Sequence, residues 1–247
     1  MKRIGIHQIN YFPWTGYFNK MAKSDLFVYL DEVQLADRGF SQRAPMINSN
    51  GKETYLNVSV EKHGHRDKKF HEIILNNEAN WQDTQYNFLK GNYSKHPYYA
   101  EVMERIEDLF TAKYERLIDI NLKSIDLVRE ILGIRTETVM QSDLDYDRTS
   151  KKNDLMLELT KSCSGDVYLS GNGARKYMIL QEFEDQGVKV QYLTFSPFSY
   201  PQYKSNDFNP GLSTLDLLFN VGLQESRDLF WENIQENEVI EIVQTER

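Results

Sequence analysis

The chain has 247 residues, 37 acidic against 29 basic side chains and a formal charge of −8, so it lacks the basic face that a duplex-DNA binder needs to neutralise phosphates. A hydrophobic content of 40% is globular rather than disordered, and a single cysteine, Cys163, permits neither an internal disulfide nor a cysteine-based metal cage. No stretch approaches the ~20 apolar residues of a membrane helix, and Met1 to Gln8 turns polar before a signal-peptide core could form, so a cytoplasmic protein with no membrane span is expected.

In chain order, Arg3 to Gln8 reads as a strand. It feeds an aromatic turn, Asn10-Tyr11-Phe12-Pro13-Trp14, then a helix from about Gly16 to Lys23 and a second strand, Leu26 to Leu30. Strand, loop, helix and strand within thirty residues predict a βαβ unit, hence a parallel sheet with the first loop at its carboxyl edge, where ligands bind. A hairpin through Asn48-Ser49-Asn50-Gly51 leads into an alternating strand, Tyr55 to Val60. Apolar residues at three- and four-residue spacing predict helices over Trp81 to Asn92, Tyr98 to Phe110 and Tyr114 to Leu132, the last stopped by Gly133. Beyond it the pattern gives a strand near Thr136 to Met140, a helix from about Lys151 to Ser162 and a strand at Val167 to Ser170. A helix from about Ala174 to Gln186, a strand at Val188 to Phe195 and short helices at Thr214 to Asn220 and Ser226 to Trp231 complete it. We expect one α/β domain over residues 1–247, a Rossmann-like, mostly parallel sheet flanked by helices, with a helical insertion at about 80–133.

Three segments concentrate groups that carry chemistry. In the first, His7 ends a strand beside Gln8, Asn10, Tyr11, Trp14 and Tyr17. Histidine serves as general base near neutral pH, and the amides bind hydroxyls or amides; the plainer alternative is a structural His among core aromatics. Asp31 and Glu32 end the second strand at the same edge, and Asp31 is taken as an assistant to His7, because adjacent strand residues face opposite ways and exclude a paired-carboxylate site. The second segment, Ser170-Gly171-Asn172-Gly173-Ala174-Arg175, reads as strand, glycine-rich turn and helix start, where free N–H groups and the helix dipole attract diphosphate. It matches neither the phosphate loop nor the dinucleotide fingerprint, and an ordinary glycine turn is the alternative. In the third, Tyr200 and Gln202 are suited to stacking on and bonding a base or sugar, while Asp216 lies in the first turn of a helix that Ser213 caps. Gln42 and Arg43 are candidates for an anionic substrate, a surface role being equally open.

His63-Gly64-His65 lacks an obvious third metal ligand and no metal site is expected; Cys163 reads as a buried structural thiol. Fifteen tyrosines exceed what a core of this size asks for, and each hydroxyl needs water or a partner. Tyr11, Tyr17, Tyr168, Tyr177 and Tyr200 are therefore expected to line one cleft.

The run His7 to Phe18, followed by Lys23-Ser24-Asp25 and Leu30-Asp31, resembles the opening signature of the WbqC-like family of bacterial proteins. The likeness continues through Tyr168 to Gly171, Tyr200 with Gln202, and Leu212-Ser213 with Asp216 to Asn220 and Gly222. Ile9 stands where the family commonly has proline, and residues Gln42 to Asn50 match only loosely. The family's members often lie in gene clusters for O-antigen or other surface polysaccharides. The resemblance implies an accessory transferase of lipopolysaccharide synthesis that moves an acyl or aminoacyl group, such as glycyl, onto a nucleotide-linked amino sugar. The donor implied is an acyl thioester of coenzyme A or a carrier protein, and a homodimer is compatible with it. An ATP-dependent amino acid–sugar ligase and a non-catalytic sugar-nucleotide binding protein are the alternatives. The first βαβ unit is also similar to that of nucleotidylyltransferases and pantothenate synthetase, whose His-x-Gly-His motif would fall on Trp14-Thr15-Gly16-Tyr17. Neither Trp nor Tyr carries a positive charge, which favours transfer from an already activated donor over adenylation.

Overall fold

Alternation along the first strand sends Ile4 and Ile6 to one face and Gly5 and His7 to the other, and a computed structural model shows what each face meets. It describes residues 1–36, 39–64, 67–176, 178–203, 207–236 and 240–242. The strand is β1 (Arg3–Gln8); α1 (Thr15–Ala22) carries the chain back, and β2 (Leu26–Leu30) lies parallel to β1 with His7 opposite Tyr29 and Gln8 opposite Leu30. The predicted βαβ unit is thus formed.

β3 (Arg43–Ile47) and β4 (Glu53–Asn57) make a separate antiparallel hairpin, in which Asn48 Oδ1 accepts the N–H groups of Asn50 and Lys52 and closes the turn. β4 ends at Asn57, short of the strand to Val60 that the alternation suggests; Val60 instead makes an isolated bridge with Leu75. Four helices follow: α2 (Trp81–Tyr93), α3 (Tyr99–Ile106), α4 (Asp108–Thr111) and α5 (Leu117–Leu132). The helix expected from Tyr98 to Phe110 is therefore two pieces. α5 starts at Leu117 rather than near Tyr114 because Asp119 Oδ2 accepts the Arg116 N–H at 3.1 Å and sets the first turn. It stops where expected, at Gly133, whose φ of 70° suits a glycine C-cap.

The chain then alternates: β5 (Glu137–Met140), α6 (Asn153–Ser162), β6 (Val167–Gly171), α7 (Leu180–Glu184) and β7 (Lys189–Leu193), then α8 (Thr214–Val221), α9 (Leu223–Glu236) and β8 (Ile240–Ile242), the last a strand the sequence reading did not include. The helix expected from Ala174 to Gln186 is a 3₁₀ turn at Asn172–Lys176 followed by the short α7. Gly171-Asn172-Gly173, all poor helix formers, delays the α-helix to Leu180.

The main sheet has the order β5-β2-β1-β6-β7-β8, parallel through β7 with β8 antiparallel at the edge, a Rossmann-like α/β arrangement. One core joins Tyr17, Phe18 and Met21 of α1, Phe27 and Tyr29 of β2 and the apolar faces of α5, α8 and α9. The other, on the opposite face, joins Ile4, Ile6, Val28 and Leu30 to Leu155, Leu157 and Leu159 of α6 and Phe183 of α7. From β1 the sheet grows one way through β2 and the other way through β6. The carboxyl ends of β1 and β6 therefore form a switch point, where flanking helices leave an open crevice. No helix among the described residues is long and apolar enough to cross a membrane.

Candidate functional site

The crevice at the switch point is a cleft of about 960 Å³. Its floor is the carboxyl ends of four parallel strands, at Gln8, Leu30, Gly171 and Leu193. One wall is the start of α1, with Trp14, Gly16, Tyr17 and Lys20; the facing wall is the start of α6, with Lys152, Asn153 and Met156. Tyr168, Ser170, Asn172, Gly173 and Phe195 complete the surround.

His7 reaches the cleft from the last turn of β1, half-buried with its ring edge-on to Tyr17 at 4.8 Å. Its Nδ1 lies 3.0 Å from the Gln8 carbonyl oxygen, which only accepts, so Nδ1 carries the proton and Nε2 the lone pair. Burial, reinforced by the Lys20 charge, pulls the ring's pKa down to about 4, so the imidazole is neutral at physiological pH.

Lys20 is the residue that sequence reasoning missed. It is 6% exposed, its Nζ donates to the Ile6 carbonyl at 2.6 Å and stands 5.8 Å from the centre of the Tyr168 ring. Burial lowers its ammonium to about 7. In sequence it is a lysine between Asn19 and Met21, indistinguishable from a solvated helix position. The only signal was its spacing of one helical turn from Gly16. Gly16 itself is required by proximity: a Cβ there would come within 2.5 Å of the Trp14 ring, so the indole lies flat against the start of α1.

Of the predicted site residues, the structure brings His7, Gln8, Trp14, Tyr17, Ser170, Gly171, Asn172 and Gly173 to this cleft. The others lie elsewhere. Asp31 keeps its carboxylate on the Ser142 N–H at 2.9 Å and 3.5 Å from His71 Nδ1, tying the ends of β2 and β5 together rather than assisting His7. Asn10 is buried against Ser41, and Tyr11 donates to Gln85 Oε1 at 2.6 Å inside the core. Gln42 lines a separate groove of about 810 Å³ between β4 and α2, while the Arg43 guanidinium sits 4.5 Å from the Tyr55 ring centre. Arg175 lies over the Tyr192 ring at 4.6 Å, and the 3₁₀ turn that contains it offers no α-helix dipole to a diphosphate. Gln202 clasps Asn209 through both its amide atoms, at 2.9 and 2.8 Å, and shapes the loop before α8.

Tyr200 and Asp216 are brought together, but in a buried network of their own. Asp216 accepts from Tyr93 Oη at 2.8 Å, Tyr200 Oη at 3.0 Å and Asn220 Nδ2 at 3.2 Å, and Ser213 caps α8 at the Leu215 N–H as predicted. The tyrosine surplus therefore does not line one cleft. Tyr17 and Tyr168 face it, Tyr11 and Tyr200 serve buried hydrogen bonds elsewhere, and Tyr177, like His65, lies outside the described residues. Cys163 is a buried free thiol held above its usual pKa by desolvation.

A neutral imidazole with a fixed tautomer, a buried lysine and aromatic walls meet at the carboxyl edge of a parallel sheet, an arrangement chemically able to accept a proton from a bound polar ligand. No solved structure gives a significant match to the chain. "Uncharacterized protein Rv1507c" of Mycobacterium tuberculosis (strain ATCC 25618 / H37Rv) is 28% identical over 227 residues, 91% of this chain and 96% of that one. The model of the WbqC-like protein family matches residues 8–228, spanning both walls of the cleft and the Asp216 network, and the chain belongs to that family.

Proposed function

We propose that this protein transfers an acyl or aminoacyl group, such as glycyl, from an activated donor to the amino group of a nucleotide-linked amino sugar, in the synthesis of a bacterial surface glycan. The observation that carries the reading is His7: neutral, its Nδ1–H held by the Gln8 carbonyl, and set in a cleft of about 960 Å³ at the carboxyl edge of the sheet. The sugar nitrogen attacks the carbonyl carbon of a thioester and forms the new N–C bond. Nε2 of His7 takes the proton that the nitrogen loses, the C–S bond breaks, and the proton passes to the departing thiolate. Gln8 and the turn from Ser170 to Gly173 contact the sugar, and Tyr17, edge-on to the His7 ring, excludes water around the reacting atoms.

The test is a mass-spectrometric screen of nucleotide amino sugars against thioester donors, run with and without ATP. The expected product is the N-acylated sugar with no ATP consumed. His7→Ala should lower kcat/KM by roughly 10²- to 10⁴-fold with folding retained. Wild-type turnover in that variant would remove His7 from the mechanism, and product that appears only as ATP is consumed would replace transfer with ligation.

A further inference from the structure

The charges around the cleft are one-sided. In a chain of net −8, the described residues that line it include two lysines, Lys20 and Lys152, and no carboxylate. An ammonium offers three N–H donors, and among the described residues the one hydrogen bond of the Lys20 ammonium goes to the Ile6 carbonyl. Lys152 makes no ion pair among the described residues and stands at φ 53°, ψ −117°, a conformation that side-chain-bearing residues adopt only under strain. Lys152 immediately precedes the ten-residue α6, whose start has no side-chain cap, so its first N–H groups are left for another acceptor. Asn153, at that start, lines the cleft and donates to Glu182 Oε2 at 3.3 Å; Glu182 itself does not line it. On the α1 wall with Lys20, and facing Lys152, Trp14 is 37% exposed, its ring nearly perpendicular to that of Phe195 at 5.2 Å.

We propose, building on the transfer reading above, that the cleft binds a nucleoside diphosphate unit, its phosphates between Lys20, Lys152 and the first N–H groups of α6 and its base against Trp14. Two cations and a helix start offset more negative charge than a single carboxylate ligand carries. The assignment moves the diphosphate from the glycine turn after β6 to the space between α1 and the start of α6. Nucleotide-linked sugars and coenzyme A share this unit, so the same chemistry would serve the acceptor or the donor. The groups shown against the Lys20 ammonium are the Ile6 carbonyl and His7 on β1 and the Tyr168 ring on β6; none is an anion, and burial keeps the ammonium near the edge of deprotonation. Pairing with phosphate at pH 8 therefore takes up a proton.

Isothermal titration of the full chain with UDP, GDP, dTDP, coenzyme A and uridine tests this, at pH 6 and pH 8 in buffers of different ionisation enthalpy. One nucleoside diphosphate should bind at least about 100-fold more tightly than its nucleoside, and Lys20→Met and Lys152→Gly should each weaken it about tenfold or more. Lys152→Gly should keep its Tm, since glycine accepts the backbone that lysine strains. Proton uptake should approach one per site at pH 8, shrink at pH 6 and vanish in Lys20→Met, which a purely structural lysine would not produce. Tightest binding of UDP, GDP or dTDP assigns the unit to the sugar substrate; tightest binding of coenzyme A assigns it to the donor. Uridine binding as well as UDP, or proton uptake unchanged in Lys20→Met, overturns the proposal. Nucleotide binding without acylated product leaves it standing and removes the transfer reading; product from a protein that binds none of these nucleotides does the reverse.

Discussion

Asp216 makes the stability of this protein depend on pH in a direction opposite to that of most carboxylates. Burial raises its pKa from 3.8 to about 6, even though hydrogen bonds from Tyr93, Tyr200 and Asn220 oppose the rise. Below pH 3.8 the folded and unfolded chains both hold the proton. Between 3.8 and about 6 the folded chain binds it more tightly, so stability falls as pH rises through that window. Once both states are ionised the difference, about 3 kcal/mol, has been lost. Asp216→Asn removes the titration while keeping a carbonyl acceptor for the tyrosines. The measurement is urea unfolding of both proteins from pH 3.5 to 7.5, and the wild-type minus variant difference isolates this one group from the other carboxylates. It should decline by about 3 kcal/mol across the window, equivalent to roughly 6–12 °C in Tm. Parallel curves for the two proteins would refute the argument, because they would mean that the carboxyl is solvated in the native state.

Three further outcomes follow from the geometry. Tyr11→Phe leaves Gln85 Oε1 without its buried donor and should cost about 1–3 kcal/mol in unfolding free energy; ligand binding should be unchanged, and a change in affinity would return Tyr11 to the site. Gly16→Ala places a Cβ within 2.5 Å of the Trp14 ring, so the folded protein should show a shifted tryptophan fluorescence spectrum and weakened nucleotide binding. With the His7 pKa at about 4, kcat/KM of the transfer reaction should show no titration of His7 through neutral pH and fall as pH drops through 4, provided folding is verified at each pH; a limb near pH 6.5 that survives in Lys20→Met would mean that the imidazole is not desolvated.

Much of the framework was legible in the residues. β1, α1 and β2 follow from a strand-length apolar run, an aromatic turn and a short helical period, and a parallel pair is the only compact way to join them. Gly133 ends α5 and Ser213 caps α8 because local backbone chemistry decides both. The errors lie where local pattern underdetermines the outcome. Tyr114 carries the same apolar spacing as α5, yet a hydrogen bond from the Arg116 N–H to Asp119 begins the helix later. The glycines after β6 suit a helix entry or a tight turn equally, and the structure takes the turn.

The candidate site divides in the same way. A histidine at the end of the central strand must lie at the carboxyl edge of a parallel sheet, so the position of His7 is already contained in the order of elements. Which polar side chains face the cleft is set by packing between segments far apart in sequence. Asp31 is claimed by Ser142, Tyr11 by Gln85 and Asp216 by Tyr93, separations of 111, 74 and 123 residues. Lys20 is the converse: in sequence an ordinary helix lysine, in the fold a buried cation beside His7. The sequence by itself determined the βαβ start, the sheet edge that holds the cleft and the histidine placed there, because these depend on short-range periodicity and strand direction. Only the tertiary structure decided which hydroxyls and carboxylates are spent on buried hydrogen bonds and which cations line the cleft, because desolvation and long-range packing set both.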